Sequence, residues 1–232
     1  QELTITPHPT VNCQVRLPVL QAKLVWSPIE LKQALRTMPP RRSPTANEEG
    51  QRAIDKFRQK PNRVDIAVLC GGEAKAFVQL WNEQAGKSVQ FATRKFQPFW
   101  YGAQNEREGA VQITALLAKF GLDILPGLLD LVNKRLALVN QALQHVDAVE
   151  CAIPVARQLG GKNSQMARDW IDTFPETAII GLVPVALGPL GKDRDSACAG
   201  LAYLVCRGKS DKIRQLAGAV GTDVVQAIDN LI

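Results

Sequence analysis

The second half of the chain repeats one local pattern: an apolar helical run closes on a bulky apolar residue and a glycine, and a polar residue opens the next run. The closures are Leu116-Leu117-Ala118-Lys119-Phe120-Gly121, Val155-Ala156-Arg157-Gln158-Leu159-Gly160, Val185-Ala186-Leu187-Gly188 and Leu216-Ala217-Gly218-Ala219-Val220-Gly221. Their glycines stand 39, 28 and 33 residues apart, within or near the period of helical repeats. A period of this kind describes helix pairs stacked side by side, each burying its apolar face on its neighbours. The expectation is an all-α, HEAT/armadillo-like helical repeat stack over residues 64–232. An irregular, basic N-terminal segment, residues 1–63, precedes it with one or two short helices. Leu159, Leu187 and Val220 are expected to be buried where the stacked helices close.

The cap chemistry supports helices. Ser27-Pro28-Ile29-Glu30 supplies an N-cap, a proline at the first helical position and a glutamate placed for a capping box. Met38-Pro39-Pro40 stops that helix. The stretch 39–50, with Arg41 and Arg42 in a basic turn, is the linker candidate, and a short polar helix runs from it to about Lys60. Asn105-Glu106-Arg107-Glu108 opens a helix that ends at Gly121, and Asp147-Ala148-Val149-Glu150 starts another that ends at Gly160-Gly161. Asn163 or Ser164 begins a helix stopped by Pro175. The run from Glu176 to Leu187 is apolar almost all round, as in a helix packed on most sides. Residues 192–207 and 211–220 pair next, with Ser210 as cap, and Thr222 caps a last helix. Residues 1–25 read as extended, interrupted by Pro7, Pro9 and Pro18.

Val64-Asp65-Ile66-Ala67-Val68-Leu69-Cys70-Gly71-Gly72 has two readings. It is either a buried strand feeding a glycine turn, as in a nucleotide-binding βα unit over residues 64–85, or a short helix broken by the glycine pair. A parallel sheet needs several such runs and the chain has one, so helix, break, helix is favoured.

Charge narrows the function classes. Residues 1–64 carry eleven Lys/Arg against five Asp/Glu, whereas residues 65–232 carry seventeen of each. The whole excess of +6 therefore lies in the N-terminal quarter, where it serves solubility or draws in nucleic acid or an acidic protein. The longest apolar runs are broken by Pro126, Pro154, Pro184 or charges, which excludes a membrane helix. Five cysteines without a C-x-x-C spacing read as reduced thiols in a cytoplasmic protein, with Cys151, Cys198 and Cys206 as small buried hydrophobes. A start at Gln1 and an end on Asn230-Leu231-Ile232 are expected of a piece of a longer chain.

Chemical motifs are few. Ala85-Gly86-Lys87-Ser88 resembles the end of a phosphate loop, but Trp81 stands where that loop needs its first glycine. His145 and Asp147 have the spacing of a base and its orienting acid, yet no nucleophile accompanies them, and a capping or surface role is simpler. Two histidines and scattered cysteines give no metal-ligand spacing. Asp193 and Asp195 alternate with Lys192 and Arg194 in a first helical turn, which matches the helix dipole. No catalytic, cofactor-binding or metal residue is assigned, and no cofactor is expected. The aromatic cluster Phe96-Gln97-Pro98-Phe99-Trp100-Tyr101 is either a plug sealing the N-terminal elements onto the repeats or, with its basic neighbours, a surface that stacks on bases. The candidate partner-binding residues are Arg41, Arg42, Arg94, Lys95, Phe99 and Trp100.

The stretch Ala167-Arg168-Asp169-Trp170-Ile171-Asp172-Thr173-Phe174-Pro175-Glu176-Thr177-Ala178, followed by Leu182-Val183-Pro184-Val185-Ala186-Leu187-Gly188, resembles bacterial multidomain proteins of the molybdate-metabolism-regulator type, which often carry a WGR domain elsewhere. Phe120-Gly121-Leu122 and Leu216-Ala217-Gly218-Ala219-Val220-Gly221 fit the same region, so the resemblance covers roughly residues 65–232. It implies a HEAT-like helical segment of a larger bacterial protein and brings no catalytic residues with it. The expected function is a non-enzymatic scaffold or protein-interaction region, its partner a protein or other domains of the parent chain. Nucleic-acid association through the basic segment is the first alternative, and an enzyme built on a βα unit at 64–85 the second.

Overall fold

The computed structural model describes residues 20–37, 46–60, 64–87, 100–101, 106–161 and 164–231. The fold is all-α: twelve α-helices accompany four two-residue strands among these residues. They form two compact units, Ala22–Asp147 and Ala148–Ile232, with Leu20 and Gln21 assigned to the second.

In Ala22–Asp147 the first helix, α1 (Pro28–Arg36), starts as its sequence requires. The Glu30 amide donates to Ser27 Oγ at 3.2 Å and the Ser27 amide donates to the Glu30 carboxylate at 2.9 Å, a reciprocal box that satisfies two otherwise orphaned donors. The polar helix α2 runs Ala46–Gln59, so the second half of the expected linker is helical. Gly50 is the reason that helix fits: a Cβ there would lie 2.0 Å from the Gly72 amide nitrogen, so α2 crosses directly over the glycine turn.

That turn separates α3 (Ile66–Leu69) from α4 (Ala74–Gln84). The favoured helix, break, helix reading of residues 64–84 is therefore correct, with a two-residue strand β2 (Val64–Asp65) in front. It pairs in parallel with β3 (Trp100–Tyr101). Helix α5 (Glu106–Phe120) ends at Gly121, whose φ of +64° is open only to glycine without strain. A 3-10 turn (Gly121–Ile124) then leads to α6 (Leu125–Leu143), kinked at Arg135. Strand β4 (Val146–Asp147) closes the unit antiparallel to β1 (Lys23–Leu24). Its core is Phe77, Leu80 and Trp81 from α4 set against Ile113, Leu116 and Leu117 of α5 and Leu128 of α6, all within 1% of complete burial. Phe77 stacks on Phe120 with centroids 4.6 Å apart.

Ala148–Ile232 is organised around one helix. After a 3-10 turn (Val149–Cys151) come α7 (Ala152–Ala156), α8 (Ser164–Thr173), α9 (Pro175–Ala186), α10 (Lys192–Cys206), α11 (Ser210–Gly218) and α12 (Thr222–Asp229). Helix α9 packs on α7, α8, α10 and α11. Thr177, Ala178, Ile179, Ile180, Leu182, Val183 and Ala186 are all buried, as expected of a helix apolar around its whole circumference. Its neighbours show single apolar stripes instead. Ala197, Gly200, Leu201 and Leu204 on α10 recur at i, i+3, i+4 and i+7, the spacing of one helical face. The approach is close enough that a Cβ on Gly200 would meet Leu182 Cδ1 at 2.7 Å.

Several local expectations are corrected. The stretch after Asp147 is not one helix to Gly160: it gives a 3-10 turn and the five-residue α7, which ends four residues before that glycine. Ser210 and Thr222 are first helical residues rather than caps, the N-cap positions falling to Lys209 and Gly221. Leu187 is buried at 9% exposure, but Leu159 and Val220 are half-buried because they sit in turns beyond the helix ends. Cys151 is buried as expected, while Cys198 is half-buried and Cys206 exposed. The glycine that ends α10 is Gly208, with φ +72°, Lys209 N–H donating to the Leu204 carbonyl and Gly208 N–H to that of Val205. That is the paired bonding of a Schellman stop.

Candidate functional site

A cleft of about 270 Å³ lies in Ala22–Asp147, between α1, α5 and the end of α6. Ala34 and Thr114, both buried, form its floor with Val111 beside them, while Gln33, Gln141 and Gln144 stand exposed at the rim. Trp26, Glu30, Thr37 and His145 complete the wall.

The position of Trp26 follows from strand pairing. β1 and β4 are held by the Lys23–Asp147 ion pair at 3.2 Å and by the Val25 amide donating to the His145 carbonyl at 2.8 Å. This brings the next residue, Trp26, flat against the His145 ring, with centroids 3.7 Å apart and planes 13° from parallel. His145 Nδ1 lies 3.0 Å from the Val25 carbonyl oxygen. A carbonyl only accepts, so Nδ1 carries the hydrogen and, in the neutral ring, Nε2 is an acceptor. His145 and Asp147 thus hold different partners and do not form a base–orienter pair. Trp26 Nε1 is buried without a hydrogen-bond partner, a loss of roughly 1–3 kcal/mol for a donor removed from water.

The remaining groups are rich in acceptors. Hydrogen bonds from the Ser27 hydroxyl and amide, with a smaller contribution from the nearby His145, hold the Glu30 carboxyl below its ordinary range. Thr114 Oγ1 donates to the Ala110 carbonyl at 2.8 Å and Thr37 Oγ1 to that of Ala34 at 2.7 Å. Both hydroxyl protons are therefore spent inside their own helices, and each oxygen is left with lone pairs only.

Of the residues expected to bind a partner, Arg41, Arg42, Arg94, Lys95 and Phe99 lie outside the described residues. The backbone of Trp100 forms β3 beside Val64. Ala85-Gly86-Lys87 forms the turn after α4, where the Gly86 carbonyl accepts from Lys134 Nζ and a Cβ on Gly86 would collide with Asp130. That packing leaves no room for a phosphate against Gly86. Burial pushes the Cys70 thiol up to about 12, against a smaller opposing pull from Lys119, which keeps it protonated and unreactive. Asp193, in the first turn of α10, pairs with Arg157 at 2.7 Å.

The cleft escaped sequence reasoning because Trp26 and His145 meet only through the β1–β4 pairing, far apart in the chain. The one local signal was the capping box, which fixed Glu30 at the start of α1.

No family model matches the chain, and no solved structure matches it. The chain is 27% identical over 182 residues to an uncharacterized protein of Escherichia coli (strain K12), YehI. The match covers 71% of this chain and 15% of that protein, so the chain spans a small part of the length of the relative it matches. Among the described residues, no helix is long and apolar enough to cross a membrane.

Proposed function

We propose that this chain is a cytoplasmic, HEAT-like scaffold or protein-interaction region of a larger bacterial protein, akin to the molybdate-metabolism-regulator type. The observation that carries the reading is the construction of Ala148–Ile232. Helix α9 is enclosed by α7, α8, α10 and α11, and neighbouring helices are joined on their outer faces by ion pairs. Arg157 meets Asp193, Arg207 meets Asp172, Lys212 meets Glu176 and Arg214 meets Asp229. These charged pairs on the outer faces of packed helices support a partner-binding surface of the kind helical-repeat proteins use. The match to 15% of a long relative agrees with a segment working among other domains.

Cross-linking mass spectrometry on the full-length parent protein tests this. Lys192, Lys209 and Lys212 are expected to cross-link to a residue outside this chain, in another domain or a second protein. Cross-links confined to the chain itself would overturn the reading. A filter-binding titration separates the nucleic-acid alternative. Weak retention of duplex DNA at low salt is expected, whereas tight retention with a log–log salt slope of about −0.9 per phosphate neutralised would replace the scaffold reading with that one.

A further inference from the structure

We propose that the α1–α5–α6 cleft binds a small organic cation through a guanidinium or primary ammonium group, a ligand role separate from any scaffold surface. Its polar lining is mostly acceptors, the unpaired Trp26 Nε1–H being the exception. Glu30 is an ionised carboxylate anchored only by Ser27, and a carboxylate accepts about four hydrogen bonds. Thr37 and Thr114 present oxygens whose protons are already given to Ala34 and Ala110. In its neutral form His145 offers Nε2 once Nδ1 is committed to Val25. These acceptors call for a ligand rich in N–H donors. No lysine or arginine is among the described residues lining the cleft.

The indole of Trp26 adds a second attraction. Tryptophan is the side chain whose π face draws cations best, and the gain grows as the cation is desolvated. A cleft of about 270 Å³ with a buried floor at Ala34 and Thr114 admits a short alkyl chain behind the charged head. The glutamine amides at the rim supply acceptor oxygens for the rest of a guanidinium fork.

Isothermal titration calorimetry on the intact chain tests the proposal with n-butylguanidinium, putrescine and, as the near-isosteric neutral control, n-butylurea. Both cations are expected to bind and n-butylurea is not. Glu30→Gln is the informative variant. Glutamine keeps the capping box, so α1 persists while the charge is lost, and affinity for both cations should drop about tenfold, equivalent to about 1.4 kcal/mol. Thr114→Val preserves shape and removes an acceptor at the floor, and a drop of about threefold is expected. Absence of binding by both cations, equal binding of n-butylurea, or unchanged affinity in both variants would overturn the proposal. An arginine capped at both ends by amides distinguishes a free ligand from a partner's side chain. Binding weaker than that of n-butylguanidinium supports the free cation, and binding about tenfold tighter would overturn it in favour of a partner's arginine.

Discussion

The two units of the chain solve the same problem, holding helices together, by opposite means. In Ala148–Ile232 the links between helices are short and the helix ends look after themselves: Phe174 alone separates α8 from α9, and the Schellman turn at Gly208 closes α10. The polar contacts between its helices run between exposed side chains, as ion pairs and as the Tyr203 hydroxyl donating to Asp172. In Ala22–Asp147 side chains reach across to satisfy backbone groups. Trp81 Nε1 donates to the Ile124 carbonyl, Asn82 Nδ2 to that of Asp123, and Lys119 Nζ to that of Cys70, while Asn82 Oδ1 accepts from Gly127 N–H. Every buried backbone donor and acceptor needs a partner. The Schellman turn at Gly208 finds its partners locally, whereas the 3-10 segment Gly121–Ile124 takes them from Trp81 and Asn82 on α4.

This contrast is most exposed in the apolar core of α9. Leu182→Ala should cost roughly 2–5 kcal/mol, since Leu182 is fully buried and packed against Gly200, and the cavity would be walled by a helix that cannot collapse on all sides. Leu187→Ala, at the C-cap with 9% exposure, should cost less. Chemical denaturation of both variants checks the order, and equal losses would show that α9 is not the organising helix. Next in size comes Asn82→Ala. It strips partners from the Asp123 carbonyl and the Gly127 amide together and should cost roughly 1–3 kcal/mol. Hydrogen exchange should accelerate at Gly127 first. A loss below about 0.5 kcal/mol, within the range of an ordinary surface substitution, would mean that water replaces the clamp and that the contrast between the units is superficial.

The same contrast explains what could be read from the sequence. Ser27-Pro28-Ile29-Glu30 told its own story because a capping box is complete within four residues. The burial of α9 was legible from its apolar circumference, and α10 was read as residues 192–207, within one residue of its end. Its Schellman glycine was not singled out, because Gly208 follows Arg207 rather than the apolar residue that marked the other closures. The segment after Asp147 misled for a related reason: Ala148-Val149-Glu150 has helical composition, yet Gly181 on α9 approaches so closely that a Cβ would touch Ala152 at 2.5 Å, and this tertiary packing accompanies a 3-10 turn and a short α7. The cleft was invisible because its aromatic wall joins Trp26 to His145 through two-residue strands, too short to leave a periodic trace. The role of Asn82 was equally hidden, since a clamp onto the Asp123 carbonyl and the Gly127 amide, more than forty residues away, has no sequence pattern.

The smallest effect is expected where the second unit looks most heavily bonded. Arg214 lies 2.8 Å from Asp229 and 3.5 Å from Asp211, joining α11 to α12 and to its own first turn. Both carboxylates are exposed and the guanidinium is about half-exposed, so water competes for each group and salt screens the pair. Arg214→Gln should therefore cost between about 0 and 1 kcal/mol at low ionic strength, and less than that in high salt. Ile213 and Ala217 on α11 and Val224 and Ile228 on α12 are buried, and they hold the two helices whether or not the arginine is present. A thermal melt at low and high salt separates the contributions. A loss above about 2 kcal/mol that survives high salt would show that the ion pairs, and not the apolar faces beneath them, fix the order of the helices, and the distinction between the two units would then have to be redrawn around charge.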